Sequence, residues 1–163
     1  GAAYALAGGL FGMSWAALLA LAVCGILLSV SLIDAETQTI PDRLNLALAV
    51  CGAVSVLLSP ADWLPHVIGA LCVSVPMFLL CLVIDGAFGG GDIKLLFLTG
   101  LFLGWKRNLL CLVAACVIGI VWGLLQKKRD GGEAIPWGPS IALGAWLTAL
   151  CGQQIIDWYL GLL

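Results

Sequence analysis

The stretch FGGGDIKLLFLTGLFLGWKRN, residues 88–108, holds an apolar run broken off sharply at both ends. From Ile93 to Gly104 that run is about 12 residues, or about 18 Å at the helical rise, against a hydrocarbon core of about 30 Å. A helix this short cannot reach both water interfaces. One economical arrangement sinks its start, with Asp92, below one membrane surface and reaches it through the glycine loop Gly89-Gly90-Gly91. Irregular backbone at that depth is tolerated only where it is buried in protein or lines a wet cavity. The stretch therefore argues for a cavity with a carboxylate at its edge.

The surrounding chain is membrane material. Of its 163 residues 63% are hydrophobic and only 10% are charged, with a mean hydropathy of +1.14, whereas a soluble domain is about 45–50% apolar and about 25% charged. A net charge of -2 with seven Lys and Arg leaves no basic stripe for nucleic acid. The seven cysteines all lie in apolar runs and none forms a CxxC pair, so they read as small hydrophobes and not as zinc ligands or a disulfide framework. No cofactor or metal is expected. The chain opens at Gly1 without a basic region ahead of its apolar sequence, which reads as a possible fragment.

Apolar runs lie at Trp15 to Ile33, Leu44 to Leu58, Leu64 to Ile84, Ile93 to Gly104, Leu109 to Leu125 and Ile141 to Leu163. They predict an all-α polytopic membrane protein of about six transmembrane helices, the fourth short, forming a single transmembrane domain over residues 1–163. The second run is also short of a full span, and Gly1 to Gly12 reads as an extension of the first helix or the remnant of an earlier one. By parity the loops after the first, third and fifth helices share one side. That side carries Arg43, Lys94, Lys127, Lys128 and Arg129, against Lys106 and Arg107 opposite, so the positive-inside rule puts it in the cytosol.

Acidic residues crowd the same side: Asp34, Glu36, Asp42, Asp85, Asp92, Asp130 and Glu133. Ionisable groups at membrane depth cost about 2.5–3.5 kcal/mol each on insertion scales, so they persist where something requires them. Asp34 follows the apolar stretch ending in Ile33 and Asp92 precedes the run from Ile93, which brings both to helix ends facing one compartment. Two carboxylates sharing a cavity share a proton, and such a pair activates water: the ionised member takes a proton from it while the protonated member donates to a scissile carbonyl. Blander readings stand beside this one. Glycine clusters are common packing sites, and an aspartate past a helix end is often a solvated boundary residue. Asp42 after Pro41 fits a helix start, and Asp85 with Gly86 fits a turn. Lys94 is either a snorkelling anchor or a charge that tunes the aspartates. His66, the only histidine, lies in the opposite loop, and Trp63, Trp105, Trp137 and Trp158 near run ends read as interfacial belt residues.

Three stretches, IDAETQTIPDRLN (33–45), FGGGDIKLL (88–96) and IPWGPSIALGAW (135–146), in this order and at these separations, resemble the catalytic membrane region of the type IV prepilin peptidases, aspartic proteases of the GxGD class. The resemblance implies an endopeptidase that removes the short basic leader from type IV prepilins or type II secretion pseudopilins at the cytosolic face of the bacterial inner membrane. It also implies Asp34 and Asp92 as the catalytic pair, with Gly89 and Gly91 as the glycines of GxGD and Lys94 as its usual following lysine. Asp42 belongs to the same motif set, and Pro136 and Gly138, in the segment Pro136 to Pro139, would shape the substrate groove.

Fuller family members carry an upstream membrane segment and a cytosolic insertion with paired CxxC motifs, associated with N-methylation of the new amino terminus. Neither is found in these residues, so methyltransferase activity is not expected of them. Expected partners are a prepilin or pseudopilin and membrane lipid, with no nucleic acid; the sequence is silent on oligomeric state. Two other classes compete: a non-catalytic membrane scaffold of a secretion complex, and a small ion-coupled transporter with Asp34 and Asp92 as relay groups.

Overall fold

The computed structural model describes residues 15–58, 63–84, 88–130 and 136–162. Gly1 to Gly12, Asp62, Asp85 and Glu133 lie outside the described residues, as do the side chains of Lys127 to Asp130. Six helices are described: α1 Trp15–Thr37, α2 Asp42–Leu58, α3 Trp63–Val83, α4 Gly90–Leu103, α5 Trp105–Asp130 and α6 Gly138–Leu160. Three of them, α1, α3 and α5, contain segments long and apolar enough to cross a bilayer, at Ala17–Thr37, Trp63–Val83 and Trp105–Leu125. The outward faces of these helices are apolar, as at Leu28, Leu79, Val117 and Ile120. With no water to hydrate such faces or the backbone behind them, the chain is an all-α polytopic membrane protein.

Helix ends follow local chemistry. α2 starts one residue after Pro41, and α6 starts at Gly138-Pro139, where the missing proline N–H forfeits no helical bond. α4 stops at Gly104, whose φ of 76° is a left-handed conformation that a side chain would strain, and α5 begins at the next residue.

The short α4 lies at the centre, packed against α2, α3, α5 and α6, and its Leu95 and Leu96 are fully buried; α1 closes one side against α2 and α6. Lipid supplies no hydrophobic drive between helices, so close packing and buried hydrogen bonds hold them. Gly69 of α3 meets Gly100 of α4 backbone to backbone, closely enough that a Cβ on Gly69 would stand 2.6 Å from the Gly100 carbonyl oxygen. Beside them the buried Asn108 of α5 donates to the carbonyls of Gly69 (2.8 Å) and Leu96 (3.1 Å), and accepts from the Thr99 hydroxyl (3.3 Å). Three helices are thereby pinned at the end where α4 meets α5.

This anchor sets a depth. From Gly69, α3 runs on to Val83 for about 21 Å, while from Gly100 α4 runs back to Asp92 for only about 12 Å. Asp92 therefore lies about 9 Å short of the end of α3 along the bundle.

Candidate active site

Asp34 is in the last turn of α1 and not beyond it, and it is 5% exposed. A buried carboxylate needs donors. One of its oxygens, Oδ2, accepts from the main-chain N–H of Gly138 at 2.8 Å, so α1 caps the start of α6, where helix N–H groups and the macrodipole present positive charge. The approach requires glycine: a Cβ on Gly138 would stand 2.6 Å from that oxygen and 2.8 Å from Cγ.

Asp92 is in the first turn of α4, half-buried and outside the three spans. Its carboxyl is pushed up to about 6, first by burial and then by the negative charge of Asp34, partly offset by a hydrogen bond from the Gly89 backbone. The two aspartates thus feel one another across the gap between α1 and α4. Gly89 lies against Asp92, where a Cβ would come within 2.9 Å of Oδ2, and Gly91 lies against Ile40 of the α1–α2 connection. Around Gly90 no atom of the described residues would meet a Cβ within 4 Å.

The flanking loops are joined by an aromatic pair. Phe88, next to Gly89, meets Trp137, next to Gly138, edge to face with ring centroids 5.4 Å apart. Trp137 packs against the protein core, unlike the exposed Trp63 and Trp158, so the belt reading does not describe it. Pro136 immediately precedes this pair and is half-buried.

Lys94 and Asp42 stand apart from the aspartate pair. Lys94 Nζ bonds Asp42 Oδ1 at 2.9 Å in an exposed ion pair between α4 and α2, and the ammonium holds the Asp42 carboxyl below its usual range. Lys94 is two residues from Asp92, about 200° around the helix, so it faces α2. His66 is at the far end, with Nδ1 2.8 Å from the Leu101 carbonyl oxygen. Of the residues singled out in the sequence, Asp34, Asp92, Gly89 and Gly138 come together, with Gly91 and Pro136 flanking them. Phe88 and Ile40 join them without having been singled out, although Phe88 adjoins the glycine loop.

An α-helical membrane bundle with two carboxylates from different helices gathered near one end is the class of protein that this fold and site define. Residues 21–124 match the model of the Type IV leader peptidase family, and the chain belongs to that family. It is similar to proteins named prepilin leader peptidase/N-methyltransferase. That of Stutzerimonas stutzeri is 35% identical over 160 residues, covering 92% of this chain and 55% of the relative. That of Pseudomonas aeruginosa is 31% identical, covering 92% and 55%, and that of Bacillus subtilis is 30% identical, covering 96% and 65%. The chain spans between about half and two thirds of the length of these relatives. No solved structure matches it significantly.

Proposed function

We propose that the chain is an integral membrane aspartic endopeptidase that cleaves the basic leader from type IV prepilins or type II secretion pseudopilins. The observation that carries this reading is the convergence of Asp34 and Asp92, from the ends of two helices, in a member of the Type IV leader peptidase family. The raised carboxyl of Asp92 suits it to hold the proton of the pair, which leaves Asp34, whose Oδ2 accepts from the Gly138 N–H, as the base. Asp34 then takes a proton from water, whose oxygen bonds to the scissile carbonyl carbon as Asp92 protonates the carbonyl oxygen. Collapse of the tetrahedral intermediate breaks the C–N bond, the proton on Asp34 passes to the departing amine, and Asp92 recovers its own proton from the intermediate. Each group ends in its starting state.

The site suits a chain whose leader is basic and soluble and whose following segment is an apolar helix in the bilayer, because such a chain presents its junction near the membrane surface. In this reading the site faces the cytosol and the protein resides in the bacterial inner membrane, its residues working as one membrane domain. The test is cleavage of a purified type IV prepilin in lipid by the parent and by Asp34→Asn and Asp92→Asn. Leader loss with the parent and none with either folded variant supports the two-aspartate peptidase. Cleavage by Asp34→Asn overturns the assignment of that residue.

A further inference from the structure

A second feature lies on the opposite face of α4. There α2, α3 and α4 enclose a groove of about 490 Å³, with apolar walls that include Ala49, Val75 and Phe97. Two polar side chains line it without hydrogen-bond partners among the described residues. Asn45 of α2 is 6% exposed, and neither its amide nitrogen nor its oxygen is paired; Ser74 of α3 is 5% exposed, and its hydroxyl is equally unpaired. The Asn45 amide contributes weakly to lowering the Asp42 carboxyl but lies outside hydrogen-bonding geometry. Leaving such groups unpaired in an apolar surrounding is costly, and an occupant able to pair them relieves that cost.

The occupant must bring a donor as well as an acceptor, since the amide of Asn45 lacks both. Lipid ester groups offer acceptors alone. A transmembrane helix carrying a hydroxyl, carboxamide or protonated carboxyl offers both, with an apolar surface for the walls. The mouth of the groove adds a direction. It is marked by the Lys94–Asp42 ion pair at the same end of the molecule as Asp34 and Asp92, and Asn45 is one turn further in. Gly90, one turn before Lys94 on the same face of α4, has no described residue within 4 Å of where a Cβ would stand. A chain leaving the groove there and crossing α4 to Asp92 travels about one helix diameter, 10 Å, which about three extended residues span.

We propose that this groove docks the apolar helix of the leader-bearing substrate, with Asn45 and Ser74 pairing a polar side chain about one turn inside that helix and the segment before it passing over Gly90 to the aspartates. The proposal rests on the leader-peptidase reading. It assigns substrate recognition to the face of α4 away from the chemistry.

The experiment compares a prepilin in proteoliposomes with a peptide that carries the same leader and cleavage point but ends before the helix. Asn45→Leu, Ser74→Ala and the groove-filling Ala49→Trp are expected to lower the ratio of kcat/KM on the helix-bearing substrate to that on the peptide about tenfold, through KM, given about 1–2 kcal/mol for hydrogen bonds between membrane helices. A photocrosslinker at Phe97 is expected to capture the prepilin, whereas one at Val117 on the lipid face of α5 is not, and this holds whether or not the substituted variants fold. An unchanged ratio in folded variants, or crosslinks at Phe97 to lipid or a second copy alone, overturns the groove while leaving the peptidase standing. A parent that cuts neither substrate overturns the peptidase reading, and the groove falls with it.

Discussion

The main-chain N–H of Gly138 donates to Oδ2 of Asp34 at 2.8 Å, tying the last turn of α1 to the first residue of α6. The contact leaves no room for a Cβ, which would stand 2.6 Å from the same oxygen. Gly138→Ala is expected to displace Asp34 and lower kcat/KM about 100-fold, because a shift of about 1 Å at a reacting group has that effect. Circular dichroism should show the helices intact. Full activity in Gly138→Ala would mean that the position of Asp34 does not depend on this bond.

Burial and the Asp34 charge favour the protonated form of Asp92 in the fold, raising its carboxyl from 3.8 to about 6. Its contribution to stability is therefore fully present below 3.8 and is lost as pH rises through about 6. Asp92→Asn, which cannot ionise, escapes that loss. Its melting temperature should exceed the parent's at about pH 7.5 and converge on it by about pH 4. A difference constant across that range would refute the link between Asp92 and the negative charge beside it.

Asn108→Ala removes the donor to Gly69 and Leu96 and the acceptor for Thr99, where α3, α4 and α5 meet. A loss of about 2–3 kcal/mol is expected, measured as reversible unfolding in mixed micelles. Loss of cleavage should accompany it, since α4 carries Asp92 at its other end. A variant as stable as the parent would show that glycine packing alone holds this end together.

Glu36 and Asp42 are exposed at the end of the molecule that carries the site. On the leader-peptidase reading their negative charge, offset at Asp42 by Lys94, favours encounter with a basic leader, an effect that salt screens. Charge reversal at both is expected to slow cleavage several-fold at low ionic strength, with rates converging at about 0.5 M salt. Equal rates at every salt concentration would remove steering from the account.

What the sequence revealed and what it concealed divide along the range of the interactions involved. The short α4 follows from counting apolar residues between glycines, because membrane thickness is an external ruler. Asp34 and Asp92 could be paired by parity, since alternate loops must return to one side. Lys94 was undecidable, because its partner Asp42 is 52 residues away on another helix. Gly138 reads from the sequence only as part of the segment Pro136 to Pro139, and its reason emerges only when the Asp34 carboxylate is seen against it. Trp137 resembled an interfacial residue, since nothing local distinguishes a ring facing lipid from one facing Phe88. The unpaired state of Asn45 and Ser74 depends on what neighbouring helices withhold, which no single stretch displays.

The anchor formed by Gly69, Gly100 and Asn108 makes α4 a plumb line hung from a point about 9 Å inside α3, with Asp92 as its weight about 12 Å away. Its length is fixed by helix geometry, whereas the thickness of a surrounding bilayer varies with lipid composition. On the leader-peptidase reading, a thicker bilayer leaves Asp92 further from the water on its side, and a substrate must draw its junction deeper to meet it. Acyl-chain length would then control the rate of cutting, acting with no ligand and no change in the protein.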